Sequence, residues 1–177
     1  MEAIKTEGLS KTYVKGLRQR KVLALNNLSL TVADGEIFGF LGPNGAGKST
    51  TIKLLCDLIR PSRGRATILG RDVREPAARR HIGYLPENPS YFGFLTAWEL
   101  LEFHGKIHGM SAGRIRERGE ELLAMLKLIH AAHGQVRTYS KGMVQRVGIA
   151  AALIHDPRIL IFDEPMSGLD PPGRKLV

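Results

Sequence analysis

The sequence holds a single cysteine, Cys56, and this scarcity limits the chemistry open to the chain. One cysteine excludes an internal disulfide and any metal cluster built from thiolates, and it fits a reducing compartment. Cys56 falls within an apolar stretch, residues 52–59, where it is either a packing residue or a reactive thiol. The apolar setting favours packing.

Long hydrophobic runs are also missing. No apolar segment approaches the roughly 18 residues that a membrane-spanning helix needs. The first residues lack a basic region followed by an apolar one, so we expect no secretory signal. If the protein acts at a membrane, we expect it to do so from the cytoplasmic face, through a partner.

Acidic and aromatic residues are both in short supply. The 26 basic residues outnumber the 17 acidic ones, which gives a net charge of +9, and only 6% of the residues are aromatic. The arginines are scattered and do not alternate with aromatic residues, as a surface that stacks bases would require. The pattern favours a solvated surface or one near a membrane, and it predicts no nucleic-acid partner.

The chain has the length and apolar content of one domain, and its first third is rich in strand signals. Residues 3–14 and 22–32 alternate apolar and polar side chains around a basic loop, 15–21, which predicts an antiparallel hairpin. Residues 36–41 form a nearly continuous apolar run, typical of a strand buried on both faces. We predict a helix over 48–58 and a short strand over 66–69.

The remainder alternates helices with two short strands. We predict strands over 82–86 and 158–162, the second fully apolar, and helices over 96–108, 112–128 and 140–154. The helices suggest an insertion at about residues 88–145 of an α/β domain. In the first helix Thr96 and Glu99 fit a capping box. Its apolar side chains at helical spacing are Leu100, Phe103 and Ile107.

A glycine-rich segment follows the first apolar run and fits the pattern G-x-x-x-x-G-K-[ST]. Its glycines let the backbone N–H groups and the next helix N-terminus surround phosphate oxygens. Lys48 would reach the β- and γ-phosphates, and Ser49 would offer its hydroxyl to Mg²⁺. The alternative is a glycine-rich turn with an accidental lysine, which the strand before it and the helix after it disfavour. The predicted nucleotide-binding residues are Gly42, Pro43, Asn44, Gly45, Ala46, Gly47, Lys48, Ser49 and Thr50.

Two acids end the second apolar strand, at the carboxyl edge where ligands bind in open α/β sheets. We predict that Asp163 holds Mg²⁺, through water. We predict that Glu164 orients or deprotonates the water that attacks the γ-phosphate. The alternative is a strand that simply ends in a polar turn.

Two further segments resemble motifs of ABC ATPases, and the resemblance, with its motifs in the family's order and spacing, spans residues 4–171. Residues 139–146 (Tyr-Ser-Lys-Gly-Met-Val-Gln-Arg) resemble the family's signature, usually Leu-Ser-Gly-Gly-Gln, and residues 165–171 resemble its D-loop. The resemblance implies that Ser140 and Gly142 face the γ-phosphate bound by an opposite subunit. It also implies that Tyr13 stacks on adenine.

The chain departs from the family pattern at several positions. Lys141 and Met143 replace the usual signature residues, in a form similar to that of exporter-type ATPases. Glu87 stands where the family has glutamine, and a carboxylate there still accepts a Mg²⁺-bound water. The family's switch histidine is expected beyond Val177, so we expect a domain incomplete at its C-terminus that binds ATP better than it hydrolyses it.

The resemblance implies an α/β fold: a P-loop NTPase mixed sheet, an antiparallel β-subdomain and a helical signature subdomain. It implies an ATPase that uses ATP and Mg²⁺, pairs head to tail with a second ATP-binding domain, and powers export through a transmembrane permease subunit. Two alternatives stay open, a soluble ABC ATPase without a transporter and a nucleotide-binding module with little turnover.

Overall fold

The structure is a computed structural model that describes residues 1–16, 20–167 and 173. Part of the basic loop 15–21 and residues 168–171 of the D-loop-like segment lie outside these residues. The chain divides into two compact units, an N-terminal unit, Met1–His81, and a C-terminal unit, Ile82–Val177. Within the described ranges, every helix is too short or too polar to cross a membrane.

The N-terminal unit is built on a four-stranded antiparallel sheet with the strand order β2-β1-β3-β4. Alternating side chains let β1 and β2 pair as the predicted hairpin, with several register shifts along their length. The elements are β1 Glu2–Lys15, β2 Arg20–Ala33, α1 Lys48–Leu55, β3 Arg63–Ile68, β4 Arg71–Asp72 and α2 Pro76–Arg79.

Apolar side chains from the sheet and from α1 form the core of this unit. Leu9 and Ile68 on the sheet, and Leu54 on α1, are almost completely buried. Cys56 is partly buried at the end of α1, and burial raises the pKa of its thiol to about 12. The thiol therefore stays protonated and poorly nucleophilic at neutral pH.

The prediction of a buried strand over residues 36–41 is wrong for this structure. The segment follows β2 and has no strand partner among the described residues. Ile37 and Leu41 are 101% and 93% exposed. An apolar strand is buried on both faces only when other strands pair with it and helices cover it, and the run itself supplies neither.

The C-terminal unit packs three helices around a two-stranded parallel sheet, β5-β6. Thr96 and Glu99 form the predicted capping box at the start of α3, with both reciprocal hydrogen bonds present. The elements are β5 Ile82–Leu85, α3 Ala97–Ile107, α4 Ala112–Met125, α5 Lys141–Leu153 and β6 Ile159–Phe162, with 3₁₀ turns at Ile129–Ala131 and Val136–Thr138.

Three apolar side chains on the predicted faces of β6 and α3 are more exposed than their patterns predict. Leu160 on β6 is 46% exposed, although its neighbours Ile159 and Ile161 are buried. On α3, Leu100 is buried as expected, but Phe103 and Ile107 are 45% and 64% exposed. These strand and helix faces are therefore only partly covered within the unit.

Candidate functional site

The glycine-rich segment forms a loop that ends where α1 begins. Gly45 and Gly47 have φ of 84° and 96°, the left-handed region that glycine enters without strain. A Cβ on Gly47 would lie 2.8 Å from the carbonyl oxygen of Ala24, whereas one on Gly45 would meet no atom within 4 Å. The loop is thus tight on one side and open on the other, as a loop that binds phosphates through its backbone requires.

The charged group of the loop is Lys48, the first residue of α1. Its Nζ donates to the carbonyl oxygens of Gly42, at 2.6 Å, and Pro43, at 3.0 Å, so the side chain folds back over the loop. The first turn of α1 contains no acidic residue. A cation and the positive end of a helix dipole therefore meet at this loop, and both attract an anion.

The other predicted loop residues occupy the turn and the first helical turn. Asn44 lies in the exposed turn, and the N–H of Ala46 donates to Pro43 O at 3.2 Å. Ser49 and Thr50 lie in the first turn of α1 and are partly exposed. Their hydroxyls are therefore near the end of the helix to which an anion would be drawn.

Tyr13 lies on β1, opposite Val22 on β2, and is partly exposed. The Nζ of Lys11 lies 5.3 Å from the centroid of its ring, a cation–π distance. One face of the ring therefore carries a cation. Stacking of Tyr13 on adenine stays a prediction.

Three predicted acidic residues leave the same edge of the β5-β6 sheet. Because the strands are parallel and Leu85 lies opposite Phe162, Glu87 emerges beside Asp163 and Glu164. Asp163 is 7% exposed, and its backbone N–H donates to Leu85 O at 2.9 Å. Glu164 and Glu87 are exposed. The sheet thus gathers one buried and two accessible carboxylates at one edge.

These carboxylates fit Mg²⁺ only in company with other ligands. Among the residues that the structure describes, no group of three or more His, Cys, Asp or Glu side chains could hold a metal ion. Mg²⁺ prefers oxygen ligands and is commonly held by one or two carboxylates together with substrate phosphates. The donor set is therefore that of a nucleotide-bound Mg²⁺ rather than of a metal cage.

The signature-like segment forms the beginning of α5. Ser140 is its N-cap, and its Oγ accepts from the N–H of Met143 at 3.2 Å. Ser140 is exposed and Gly142 partly so, and the first turn contains no acidic residue. Arg146 ties this helix to the end of α4 by donating to Leu126 O at 2.9 Å. The segment therefore presents a helix N-terminus on a fixed element, which suits an anionic ligand.

Sequence reasoning missed one buried polar residue beside the acidic edge, Gln145 on α5. It is 1% exposed, and its Nε2 donates to Pro165 O at 3.1 Å. A signal was present, because Gln145 has the helical spacing of Gly148 and Ala152 and so shares their buried face.

A histidine cluster on α3 and at the end of α5 was also missed. His108 and His155 stack with ring centroids 3.6 Å apart, and His155 Nε2 lies 3.1 Å from Ile82 O. Burial lowers the pKa of His155 to about 4, and the charges of His108 and His104 act in the same direction. This cluster belongs to the packing of the helices rather than to the acidic edge.

The glycine loop, the paired acids and the helix N-terminus are each typical of the phosphate-loop class of nucleoside-triphosphatases. The family follows from comparison: residues 25–167 match the ABC transporter family model, and the chain belongs to this family. The α/β fold class is thereby confirmed.

Curated relatives are more than 40% identical to the chain over the aligned residues. An ABC transporter ATP-binding protein of Synechocystis sp. is 47% identical over 97% of this chain and 49% of the relative. The doxorubicin resistance ATP-binding protein DrrA of Mycobacterium tuberculosis is 41% identical over 99% of this chain and 52% of the relative. The chain spans about half the length of the curated relatives it matches.

Solved structures show the same fold. The bacterial ABC transporter cassette MJ0796, described as a dimer, matches with a TM-score of 0.89 and 30% identity over 98% of this chain and 78% of that one. The ATP-binding subunit of an ABC transporter matches with a TM-score of 0.87 and 33% identity, over 98% of this chain and 71% of that one.

Proposed function

We propose that the chain is the ATP-binding and ATP-hydrolysing part of an exporter. The observation that carries the proposal is the loop at residues 42–50, where left-handed glycines and Lys48 meet the N-terminus of α1. A β/γ-phosphate is the ligand this loop fits, because its backbone, helix end and lysine all favour an anion.

Glu164 is the proposed catalytic residue. It is exposed at the sheet edge, where it would orient or deprotonate the water that attacks the γ-phosphate. Bound Mg²⁺ would supply charge neutralisation at the phosphates. Ser49, Asp163 and, through water, Glu87 would hold it.

The proposal includes two partners. Ser140 and Gly142 lie at an accessible helix N-terminus, and we propose that they contact the nucleotide of a second copy, paired head to tail. A cassette of the same fold, MJ0796, is described as a dimer bound to ADP and Pi. The other partner would be a permease in the membrane, with the chain on its cytoplasmic face.

The names of two relatives favour export over a function without a transporter. These relatives, in Mycobacterium tuberculosis and Streptomyces coeruleorubidus, are named as doxorubicin and daunorubicin resistance ATP-binding proteins. Their names support export as the direction of transport. The substrate of this protein is left open.

The experiment measures ATP binding and ATP turnover separately, in the protein at its natural length. Lys48→Ala should abolish tight ATP binding, because it removes the cation placed against the terminal phosphates. Glu164→Gln should retain binding and lose turnover by about 10²–10³-fold, since an amide cannot accept the proton. ATP-bound dimers should then accumulate and elute earlier in size-exclusion chromatography.

Two results would contradict the proposal. Unchanged ATP affinity in Lys48→Ala would remove the phosphate-loop assignment. Near-normal turnover in Glu164→Gln would show that Glu164 is not the base. Lys53→Ala is the matched control, because Lys53 lies on the same helix but near its C-terminal end.

A further inference from the structure

The buried carboxamide of Gln145 contacts the turn that carries the proposed catalytic acid. Gln145 and Asp163 are the buried polar residues among those described in the C-terminal unit. The Nε2 of Gln145 donates to the carbonyl oxygen of Pro165, the residue after Glu164, at 3.1 Å. This contact joins α5 to a turn twenty residues further along the chain.

The turn itself needs outside support. Glu164 has φ of 50°, in the left-handed region that a residue with a side chain occupies only under constraint. The N–H of Ser167 donates to Glu164 O at 2.9 Å and closes the turn locally. Pro165 has no N–H to donate, so its carbonyl is the backbone polar group through which the turn can be held there.

The helix that holds the turn is itself firmly placed. A Cβ on Gly148 of α5 would lie 2.8 Å from Leu85 Cδ1, and one on Gly83 of β5 would overlap the carbonyl oxygen of Ala152. The helix and the strand therefore approach as closely as glycine allows. Since β5 pairs with β6, one rigid block carries Gln145 and the end of the strand that leads to Glu164.

We infer that Gln145 is a positioning residue for ATP hydrolysis. It holds the Pro165 carbonyl and thereby fixes the left-handed turn that aims Glu164 at the attacking water. General-base catalysis depends on this aim, because a small displacement of the base removes it from hydrogen-bond reach. The inference rests on the proposed function, since it assigns a role in that reaction.

The first test is Gln145→Met, measured in the protein at its natural length. Methionine keeps the length and approximate volume of glutamine but cannot donate to Pro165 O. We expect kcat to fall by about ten-fold or more, with the Kd for ATP within about two-fold of the unchanged protein. Gln135→Met, the same substitution outside α5, should leave both values unchanged.

The second test uses pH. Gln145→Glu keeps the shape of the side chain, but an ionised carboxylate cannot donate to the Pro165 carbonyl. Burial at the position of Gln145, which is 1% exposed, should raise the pKa of the introduced acid, and its protonated form can donate an O–H. The kcat of Gln145→Glu, divided by the kcat of the unchanged protein at the same pH, should therefore rise as the pH is lowered from about 8 to about 6.

The third test separates positioning from general loss of structure. In a Glu164→Gln background the base is already gone, so Gln145→Met should lower the residual turnover by less than about two-fold. A purely structural role for Gln145 would instead lower turnover by the same factor in both backgrounds.

Several outcomes overturn the inference. A kcat for Gln145→Met within two-fold of the unchanged protein would do so, as would equal losses in the two backgrounds. A kcat ratio of Gln145→Glu to the unchanged protein that does not vary with pH would also do so. This pH test can still be made if Gln145→Met fails to fold. Absence of turnover in the unchanged protein would instead contradict the proposed function, and the inference would fall with it.

Discussion

Two apolar runs precede the glycine loop and the paired acids, and they differ in burial. Residues 36–41 precede the glycine loop, yet Ile37 is 101% exposed and the run has no strand partner among the described residues. Residues 159–162 precede the paired acids and form β6, in which Ile161 is 8% exposed and pairs with Tyr84. Similar composition thus gives opposite environments.

The two polar segments that follow these runs both contain left-handed turns, whether the run before them is exposed or buried. The glycine loop adopts its left-handed turns beside an exposed run, and the Glu164 turn forms beside a buried one. The geometry of the glycine loop depends on glycine φ angles and on hydrogen bonds over a few residues, which the local sequence fixes. The Glu164 turn combines a local hydrogen bond from Ser167 with the donation from Gln145 on α5. Burial of an apolar strand depends on elements far along the chain.

The largest effect expected from this contrast is on stability, in the 177-residue chain. Ile161→Ala should lower the free energy of unfolding by about 2–5 kcal/mol, because it leaves a cavity between β6 and its neighbours. Ile37→Ala, its matched control, should change it by less than about 0.5 kcal/mol, since an exposed side chain leaves no cavity. Urea unfolding followed by circular dichroism measures both. Equal losses would show that residues 36–41 are packed in solution.

A second contrast concerns close packing. Gly83→Ala on β5 should cost about 1–3 kcal/mol or more, because its Cβ would overlap the Ala152 carbonyl oxygen and force α5 outward. Gly39→Ala lies on the exposed run, where a Cβ meets no atom within 4 Å, and should be nearly neutral. The melting temperatures of the two variants test this. A neutral Gly83→Ala would mean that α5 is not held tightly against β5.

The sequence predicted those features that a few neighbouring residues determine. The hairpin of β1 and β2, the capping box at Thr96 and the glycine loop are of this kind, and each has the expected form. The positions of Asp163 and Glu164 also followed, because a buried strand delivers the residues after it to its own carboxyl edge.

The features that sequence reasoning missed depend on how helices and strands that are distant in the sequence pack against one another. Phe103 has helical spacing with Leu100, but it lies at the margin of the stripe and contacts the rings of Phe92 and His104 instead of the core. Gln145 was missed because a polar residue in a helix gives no indication of its partner. Its acceptor, Pro165 O, lies twenty residues away and is brought there by β6.

A smaller effect on the free energy of unfolding is expected from helix capping, which differs between α1 and α3. The N-cap of α1 is Gly47, which has no side chain to cap with, whereas Thr96 caps α3 and bonds to Glu99. Thr96→Ala should therefore cost about 1 kcal/mol, and Thr96→Ser, which keeps the hydroxyl, much less. Urea unfolding distinguishes the two. Equal losses would assign the effect to packing of the threonine methyl group rather than to the cap.

The smallest effect expected is a pH dependence that arises in the C-terminal unit. His155 stacks on His108 and is partly buried, and the charges of His104 and Asp156 also act on it. Its pKa is about 4 in the folded chain, mainly because burial disfavours the charged ring, against a value near 6.5 when unfolded. The unfolded chain therefore binds more protons between these values, and stability should fall as the pH falls from about 6.5 to about 4.

The contribution of His155 to this pH dependence can be isolated by replacing its ring with a side chain that does not titrate but keeps the hydrogen bond. His155→Gln keeps an N–H that can donate to Ile82 O, and it should flatten the decline in stability on acidification, by about 1 kcal/mol or less because solvent reaches part of the ring. His130→Gln, at an exposed position, should leave the decline unchanged. Urea midpoints measured at intervals between about pH 7 and about pH 4 give the comparison. If His155→Gln declines as steeply as the unchanged chain, other groups, His104 first among them because burial also lowers its pKa, account for the acid sensitivity of the unit.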